Sequence, residues 1–377
     1  MKIESVKLVN FRNYDSLLLG DLGNLVVFTG MNAVGKTNII EGIHLLTTGK
    51  SFRNPQVVQL IKEGASSSKI SMDCTDGNRM LEISVILEPG KKSFLLNGKR
   101  RNASEMRGLL PSVVFTPDDL EIAKKSSSVK RDAADDLGEQ ISKNYWTIRQ
   151  DYEKVLKYKN RLLKDEASKA LIESINETLI VCGTQLFCYR KALIERIVPE
   201  VERIYERISG GKEPFEALYI PSWEHLDDAK NEKKFSADAV YEKEFVRTMM
   251  RTNIDRYFEQ ERIRRRSLVG PHNDKVVFLL DGKDVSNFAS QGQQRSVVLA
   301  WKLAEVEIIR QTLGHNPVLL LDDVMSELDE QRKKTLLGFV SEDIQTFITS
   351  TDDSFISEEY KGKALMVRLP LGGDENA

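Results

Sequence analysis

Residues Gly30-Met31-Asn32-Ala33-Val34-Gly35-Lys36-Thr37 lie between an apolar run at 25–29 and a helical pattern at 38–46. Strand, glycine-bounded turn and helix in that order are half of an α/β unit with a parallel sheet. Glycines let the backbone curl so that successive N–H groups and the helix N-terminus converge on one point, a geometry that suits phosphate oxygens. In such a loop Lys36 reaches the β- and γ-phosphates of a nucleotide, and Thr37 offers a hydroxyl to Mg²⁺. The expected nucleotide-binding residues are therefore Gly30, Met31, Asn32, Ala33, Val34, Gly35, Lys36, Thr37 and Asn38, with ATP and Mg²⁺ as the ligands.

A phosphate loop of this kind works with an acid delivered by a neighbouring strand. Asp322 ends the apolar run Val318-Leu319-Leu320-Leu321, and Asp323 follows it. Thr37 and Asp322 are the expected metal ligands, and Lys36 and Asp322 expected catalytic residues. Ser290-Gln291-Gly292-Gln293-Gln294-Arg295 precedes a further helical stretch, at 295–313. A serine and free N–H groups at a helix N-terminus again suit an anion, so Ser290, Gly292 and Gln293 join the candidates.

Lys36 and Asp322 stand roughly 290 residues apart, so the two ends of the chain must meet. At 377 residues the chain exceeds the roughly 250–300 at which one core stops growing. Short apolar runs at 3–9, 25–29, 81–87 and 93–96 read as strands of a first segment, 1–120. Heptads then take over: Ile141, Ile148, Val155 and Leu162, with Tyr145 and Tyr152 offset by four and Lys159 breaking that second series. Ile172, Leu179, Leu186 and Leu193 form a further seam, and Ser209-Gly210-Gly211 ends it. Two antiparallel helices on the order of 40 to 50 Å long, at about 1.5 Å per residue, follow from this spacing. A third helical region is expected at 237–266, closing an arm domain at 121–266. Strand character returns at 275–280, and helix, strand, helix, strand at 295–313, 318–321, 330–340 and 346–349 complete the head as 267–377. The fold class is α/β, a head built from both chain ends with an inserted helical arm.

Composition narrows the setting. Hydrophobic residues at 41% and charged residues at 30% describe a globular chain with a heavily charged surface. No apolar run reaches the roughly 18 residues of a membrane helix, and no cleavable leader follows Met1. Three cysteines, without metal-ligand spacing, suit reduced thiols, and a cytoplasmic protein is expected. With 55 basic and 57 acidic residues the net charge is −2, so any nucleic acid must be held by local patches. Lys99-Arg100-Arg101 and Arg262-Ile263-Arg264-Arg265-Arg266 are such patches, though a charge run by itself is a solvated face.

The six residues at 290–295 resemble the Ser-Gly-Gly-Gln signature of ABC ATPases with its first glycine replaced, and Ser326-Glu327-Leu328-Asp329 resembles the D-loop of that family. In the family the residue after the magnesium-linked Asp polarises the attacking water and is usually Glu. Asp323 is one methylene shorter, which implies slow turnover. Thr351 in Thr349-Ser350-Thr351-Asp352 stands where many members carry a switch histidine. A transporter subunit keeps its two nucleotide motifs about 100 to 150 residues apart, unlike this chain. With Asn10-Phe11-Arg12-Asn13-Tyr14, Phe115 to Leu120, Tyr152 to Lys164 and Gly270-Pro271-His272 added, the chain resembles the RecF recombination-mediator family, bacterial relatives of the SMC ATPases. It departs from that family at Lys124 to Arg131 and at Asn273-Asp274-Lys275.

The resemblance implies that Arg12 and Asn13 approach the nucleotide and that Asp118 and Asp119 lie near the magnesium-sensing position. It implies an ATP-dependent homodimer that binds double-stranded and gapped or single-stranded DNA, and partners of the RecO and RecR type. DNA replication, recombinational repair and the SOS response to DNA damage are the implied setting. An ATP-gated SMC-like scaffold in a defence or chromosome-maintenance system is the alternative.

Overall fold

A computed structural model of the chain describes residues 1–124, 126–225, 241–340, 343–352 and 362–369. In chain order the strands are β1 (Lys2–Phe11), β2 (Tyr14–Leu19), β3 (Leu25–Thr29), β4 (Ser68–Thr75), β5 (Met80–Glu88), β6 (Lys91–Leu96), β7 (Lys99–Arg101) and β8 (Ser112–Phe115). They continue as β9 (Phe215–Ile220), β10 (Lys275–Leu280), β11 (Lys283–Asp284), β12 (Val318–Asp322), β13 (Thr346–Ser350) and β14 (Ala364–Arg368). Two compact units divide the chain: one joins 1–120 to 298–377, and the other is 121–297.

The first unit packs two sheets around one helix. Strands β14-β3-β13-β12-β8 form a parallel sheet, and every residue of β12 and β13 is buried. Near-continuous apolar runs are what a parallel sheet covered on both faces requires. Strands β2-β1-β4-β5-β6-β7 form an antiparallel sheet, in which β4 alternates buried and less buried positions with the period of two of a half-covered strand. The helix Lys36–Thr48 is buried on nearly all sides, and one core contains its Ile39, Ile40 and Ile43, Leu8 and Ile70 of the antiparallel sheet, and Leu320 and Phe347 of the parallel one. A Cβ on Gly42 would stand 2.9 Å from the Leu8 side chain, so glycine lets this helix approach β1. The chain ends are tied by Gln345, which accepts from Ile3 N at 2.7 Å and donates to Ile3 O at 2.7 Å and Gly23 O at 3.0 Å.

The second unit holds the helices Ser127–Ile141, Lys143–Lys164, Lys169–Ser209, Lys243–Arg256 and Phe258–Arg264, with the antiparallel sheet β11-β10-β9. Three expectations change here. The second arm helix ends where expected, with Gly210 at φ 74 as its cap, but its 41 residues make it about 60 Å long at 1.5 Å each, beyond the roughly 40 to 50 Å expected. On the first arm helix the buried stripe is Tyr145, Tyr152 and Lys159, while Ile148 and Val155 are half-buried. Lys159 continues the stripe because Glu261 meets its ammonium at 2.6 Å, both side chains being fully buried. Residues 267–297 belong to this unit and not to the head, because β10 pairs with β9 from Lys275↔Ile220 to Leu280↔Phe215. Residues 237–240 of the expected third helix, like the tail from 372, lie outside the described residues.

Candidate functional site

Parallel register brings the C-terminal ends of three strands to one edge of the head sheet, since Asp322 is opposite Thr349 and Ser350 is opposite Thr29. The loop after Thr29 needs its glycines. Gly30 has φ 152, and a Cβ there would sit 2.4 Å from the carbonyl oxygen of Leu369. Gly35 has φ 111, with the Tyr14 hydroxyl 2.6 Å from where its Cβ would be. Ala33, at φ 67, takes the same left-handed region without that freedom. Lys36 folds over the loop, its Nζ donating to the carbonyls of Gly30 at 2.6 Å and Met31 at 2.9 Å. A cavity of about 270 Å³ opens there, lined by Asn32, Ala33, Gly35, Lys36, Thr37, Asn38, Arg53 and Asp323.

The two acids are set differently. Asp322 is buried and accepts from Thr349 Oγ1 at 2.8 Å, and the Thr37 hydroxyl also acts on its carboxyl. Burial pushes its carboxyl above the usual range, and the two hydroxyls oppose that shift. Asp323, at φ 53, lines the cavity; burial raises its carboxyl as well, while the charge of Lys36 pulls it down. Among the described residues no group of three or more His, Cys, Asp or Glu side chains is placed to hold a metal. Thr37, in the cavity lining, and Asp322, next in the chain to cavity-lining Asp323, are two hard oxygen donors that fit a Mg²⁺ taking its other oxygens from phosphate and water.

Other candidates take different places. Arg12 does not line the cavity: its Nε and Nη2 hold Glu41 at 2.8 and 2.6 Å, and its Nη1 donates to Gln59 O at 2.9 Å. Asn13 props the loop, donating to Val34 O at 3.4 Å and accepting from Asn38 at 2.7 Å. Asp119 accepts from Thr116 N at 2.8 Å and pairs with Lys302 at 3.2 Å, and Asp118 is exposed; neither lines the cavity. Thr351 is exposed and donates to Asp352, so Thr349, not Thr351, is the hydroxyl against Asp322. Arg53 escaped the sequence reading. It borders the cavity because Gly49, at φ 76, turns the chain back after the helix, and its guanidinium donates to Asn38 Oδ1 at 3.2 Å. A lone arginine after a helix stop carries no spacing signal.

In the second unit, Ser290 and Gln293 form a reciprocal cap: Gln293 Oε1 accepts from Ser290 N at 2.7 Å, and Ser290 Oγ accepts from Gln293 N at 3.2 Å. Gln293 Nε2 also donates to Glu213 at 2.6 Å. The cap fixes the start of the helix Gln291–Leu313, with Ser290 and Gln291 exposed and Gly292 half-buried beside them. The two departures from the family pattern meet in this unit: Arg131 donates to the carbonyls of His272 and Asp274, and buried Asp274 accepts from Ser222 N at 2.7 Å and Tyr219 Oη at 2.5 Å. They lock a turn. Of the basic runs, Lys99–Arg101 is an exposed edge strand, and 262–266 is an exposed helix end with Arg265 paired to Glu166 at 2.7 Å.

The family described as "RecF/RecN/SMC N terminal domain" matches residues 2–368. "DNA replication and repair protein RecF" of Oceanobacillus iheyensis is 35% identical over 99% of both chains, and that of Halalkalibacterium halodurans is 35% identical over 99% of this chain and 98% of its own. Among solved structures, the recombination mediator protein RecF-ATPrS in the RecFOR pathway superposes with a TM-score of 0.85 at 29% identity, over 94% of each chain. An Smc head bound to a domain of ScpA, at 16% identity and a TM-score of 0.52 over 94% of this chain and 90% of its own, shares the fold. Matched from end to end by these relatives, the chain belongs to the RecF family of DNA replication and repair proteins, within the RecF/RecN/SMC group.

Proposed function

We propose that this chain is an ATP-binding, slowly hydrolysing DNA-repair protein that dimerises on ATP and acts at single-strand gaps with mediators of the RecO and RecR type. One observation carries the nucleotide part: Lys36, Thr37 and Asp323 line one cavity, with Asp322 next in the chain to Asp323 at the strand end. Lys36 leaves its loop carbonyls to compensate the β- and γ-phosphates. Thr37 and Asp322 hold Mg²⁺, which when bound spreads the charge of the phosphate oxygens. Asp323 orients the attacking water and accepts its proton. A carboxylate on so short a side chain reaches less far than glutamate, which supports slow turnover. Arg53 and Asn38 also line this cavity.

The DNA and dimer parts rest on the family and on the exposed helix start at Ser290, whose serine suits a γ-phosphate held by a second copy. The repair name of relatives matched over 99% of the chain favours this reading over a scaffold in a defence or chromosome-maintenance system. The test is DNA binding and ATP turnover of the purified protein with ATP, ADP and no nucleotide, on gapped and blunt duplexes. Tighter binding with ATP and faster turnover with gapped DNA are expected. Binding indifferent to nucleotide would overturn the reading.

A further inference from the structure

Thr349 lies in the middle of the parallel sheet and is fully buried. Its hydroxyl donates to Oδ1 of Asp322 at 2.8 Å and accepts from the backbone N–H of Asp323 at 2.9 Å. The Thr349 carbonyl takes the same N–H at 3.2 Å. A hydroxyl has one hydrogen, so giving it to Asp322 leaves the oxygen lone pairs for Asp323, and each bond fixes the direction of the other. Asp322 is thus held by the Thr349 hydroxyl. Asp323 stands at φ 53, a region that residues other than glycine enter when their surroundings hold them, and from there it borders the cavity. Valine would fill a buried β-strand as well as threonine does. The hydroxyl is not simply a satisfied strand side chain like that of Thr346, three residues earlier, which bonds the local carbonyl of Ile344 at 3.0 Å.

We propose that Thr349 is a positioning residue that sets Asp322 towards the cation and Asp323 towards the attacking water; the inference rests on the nucleotide-site reading above. One hydroxyl aligns two successive acids whose side chains leave a strand end in different directions. Three variants test it: Thr349→Val, which keeps the branched shape without the hydroxyl, Thr349→Ser, which keeps the hydroxyl, and Thr346→Val as a buried control. Binding of a fluorescent ATP analogue is titrated with Mg²⁺ and repeated in EDTA, alongside turnover and thermal melting.

Thr349→Val is expected to raise the Mg²⁺ concentration for half-maximal effect about tenfold and to lower kcat about tenfold, with affinity in EDTA unchanged. Thr349→Ser should return both to within about twofold of wild type, and Thr346→Val should match wild type. If the valine variant does not fold, Thr349→Cys, with its weaker donor, should show a smaller shift in the same direction. An unchanged Mg²⁺ titration and kcat in the folded Val or Cys variant, no rescue by serine, or an equal defect in Thr346→Val would overturn the proposal. A wild type whose ATP binding ignores Mg²⁺ would overturn the site reading itself, whereas a normal wild type beside an unaffected Thr349→Val would overturn the positioning role alone.

Discussion

At the scale of single residues, Lys36 is the one ammonium among the described residues that line the cavity, and its Nζ is held by two loop carbonyls. Lys36→Ala should weaken ATP binding at least about 100-fold, since the phosphate charge then lacks its compensating cation in a partly enclosed site. Equilibrium binding on the folded variant checks this. His272 offers a pH prediction in the other unit. Burial holds its imidazole down to about 3, with the Tyr152 hydroxyl on Nδ1 and the Ser267 carbonyl near Nε2. Its pKa is lower folded than unfolded, so below about 6.5 the unfolded chain takes a proton that the folded one refuses. Stability is therefore lost as pH falls from about 6.5 towards 3, by about 2 kcal/mol at pH 5. His272→Gln should flatten the stability curve between pH 7.5 and 5 by that amount, and parallel curves for wild type and variant would refute it. The glycine-bounded loop at 30–37 was legible residue by residue because its spacing is local. Arg53 and Thr349 were not, because each acquires its role from a neighbour distant in sequence.

Among the elements, the arm helices show how a pattern break can be a contact. Lys159 looks like a flaw in the Tyr145, Tyr152 series, yet it occupies the next buried turn because Glu261 comes from the helix Phe258–Arg264 to neutralise it. Glu261 also accepts from Leu268 N at 2.7 Å and Ser267 Oγ at 3.1 Å, so the pair anchors the segment after that helix. Lys159→Met should cost on the order of 3 kcal/mol, because it leaves a buried carboxylate unpaired. The double variant Lys159→Met with Glu261→Gln should recover most of that, since a neutral amide oxygen can still accept from Leu268 N. Guanidinium unfolding followed by helix dichroism distinguishes the outcomes: a double variant no more stable than the single would show that charge neutralisation is not the reason for the pair. Strand β4 escaped the local reading, because its mixed polar and apolar residues become strand only by pairing with β1, and β9 because so short a run is placed only by pairing with β10.

For the whole molecule, the phosphate loop belongs to one unit and the signature serine to the other. If a second copy completes the site, dimerisation should require ATP, and Ser290→Arg should block it with nucleotide binding intact. Asp323→Asn should prolong the dimer and slow hydrolysis roughly 100-fold; asparagine tolerates the left-handed backbone at φ 53. Sedimentation with ATP, ADP and no nucleotide decides between these outcomes, and a dimer of equal strength in all three states would sink the switch. The basic runs are exposed, and a chain of net charge −2 must hold DNA through such local cations. Replacing Arg264 and Arg266 by Ala should lower the magnitude of the salt slope of DNA binding by about 2, one for each lost phosphate contact. Arg265 is better spared, since it caps its helix at φ 53 and pairs with Glu166. An unaltered slope would assign the run to a solvated face.

The sequence alone determined the α/β class, the glycine-bounded loop between a strand and a helix, the helical insertion and the second arm seam, all of which are written in spacings of a few residues. Glycine spacing, heptads and buried apolar runs report local backbone geometry, and local geometry needs no partner. Only the tertiary structure decided that residues 267–297 join the helical unit, that Arg12 serves Glu41, that Arg53 reaches the cavity and that Thr349 holds both acids. Most of these depend on strand register or on a charge meeting its counter-charge across many residues of chain, and Arg53 on where the turn at Gly49 leads the chain. Such pairings are chosen by burial and hydrogen-bond satisfaction in the folded state, where an unpaired polar group is costly.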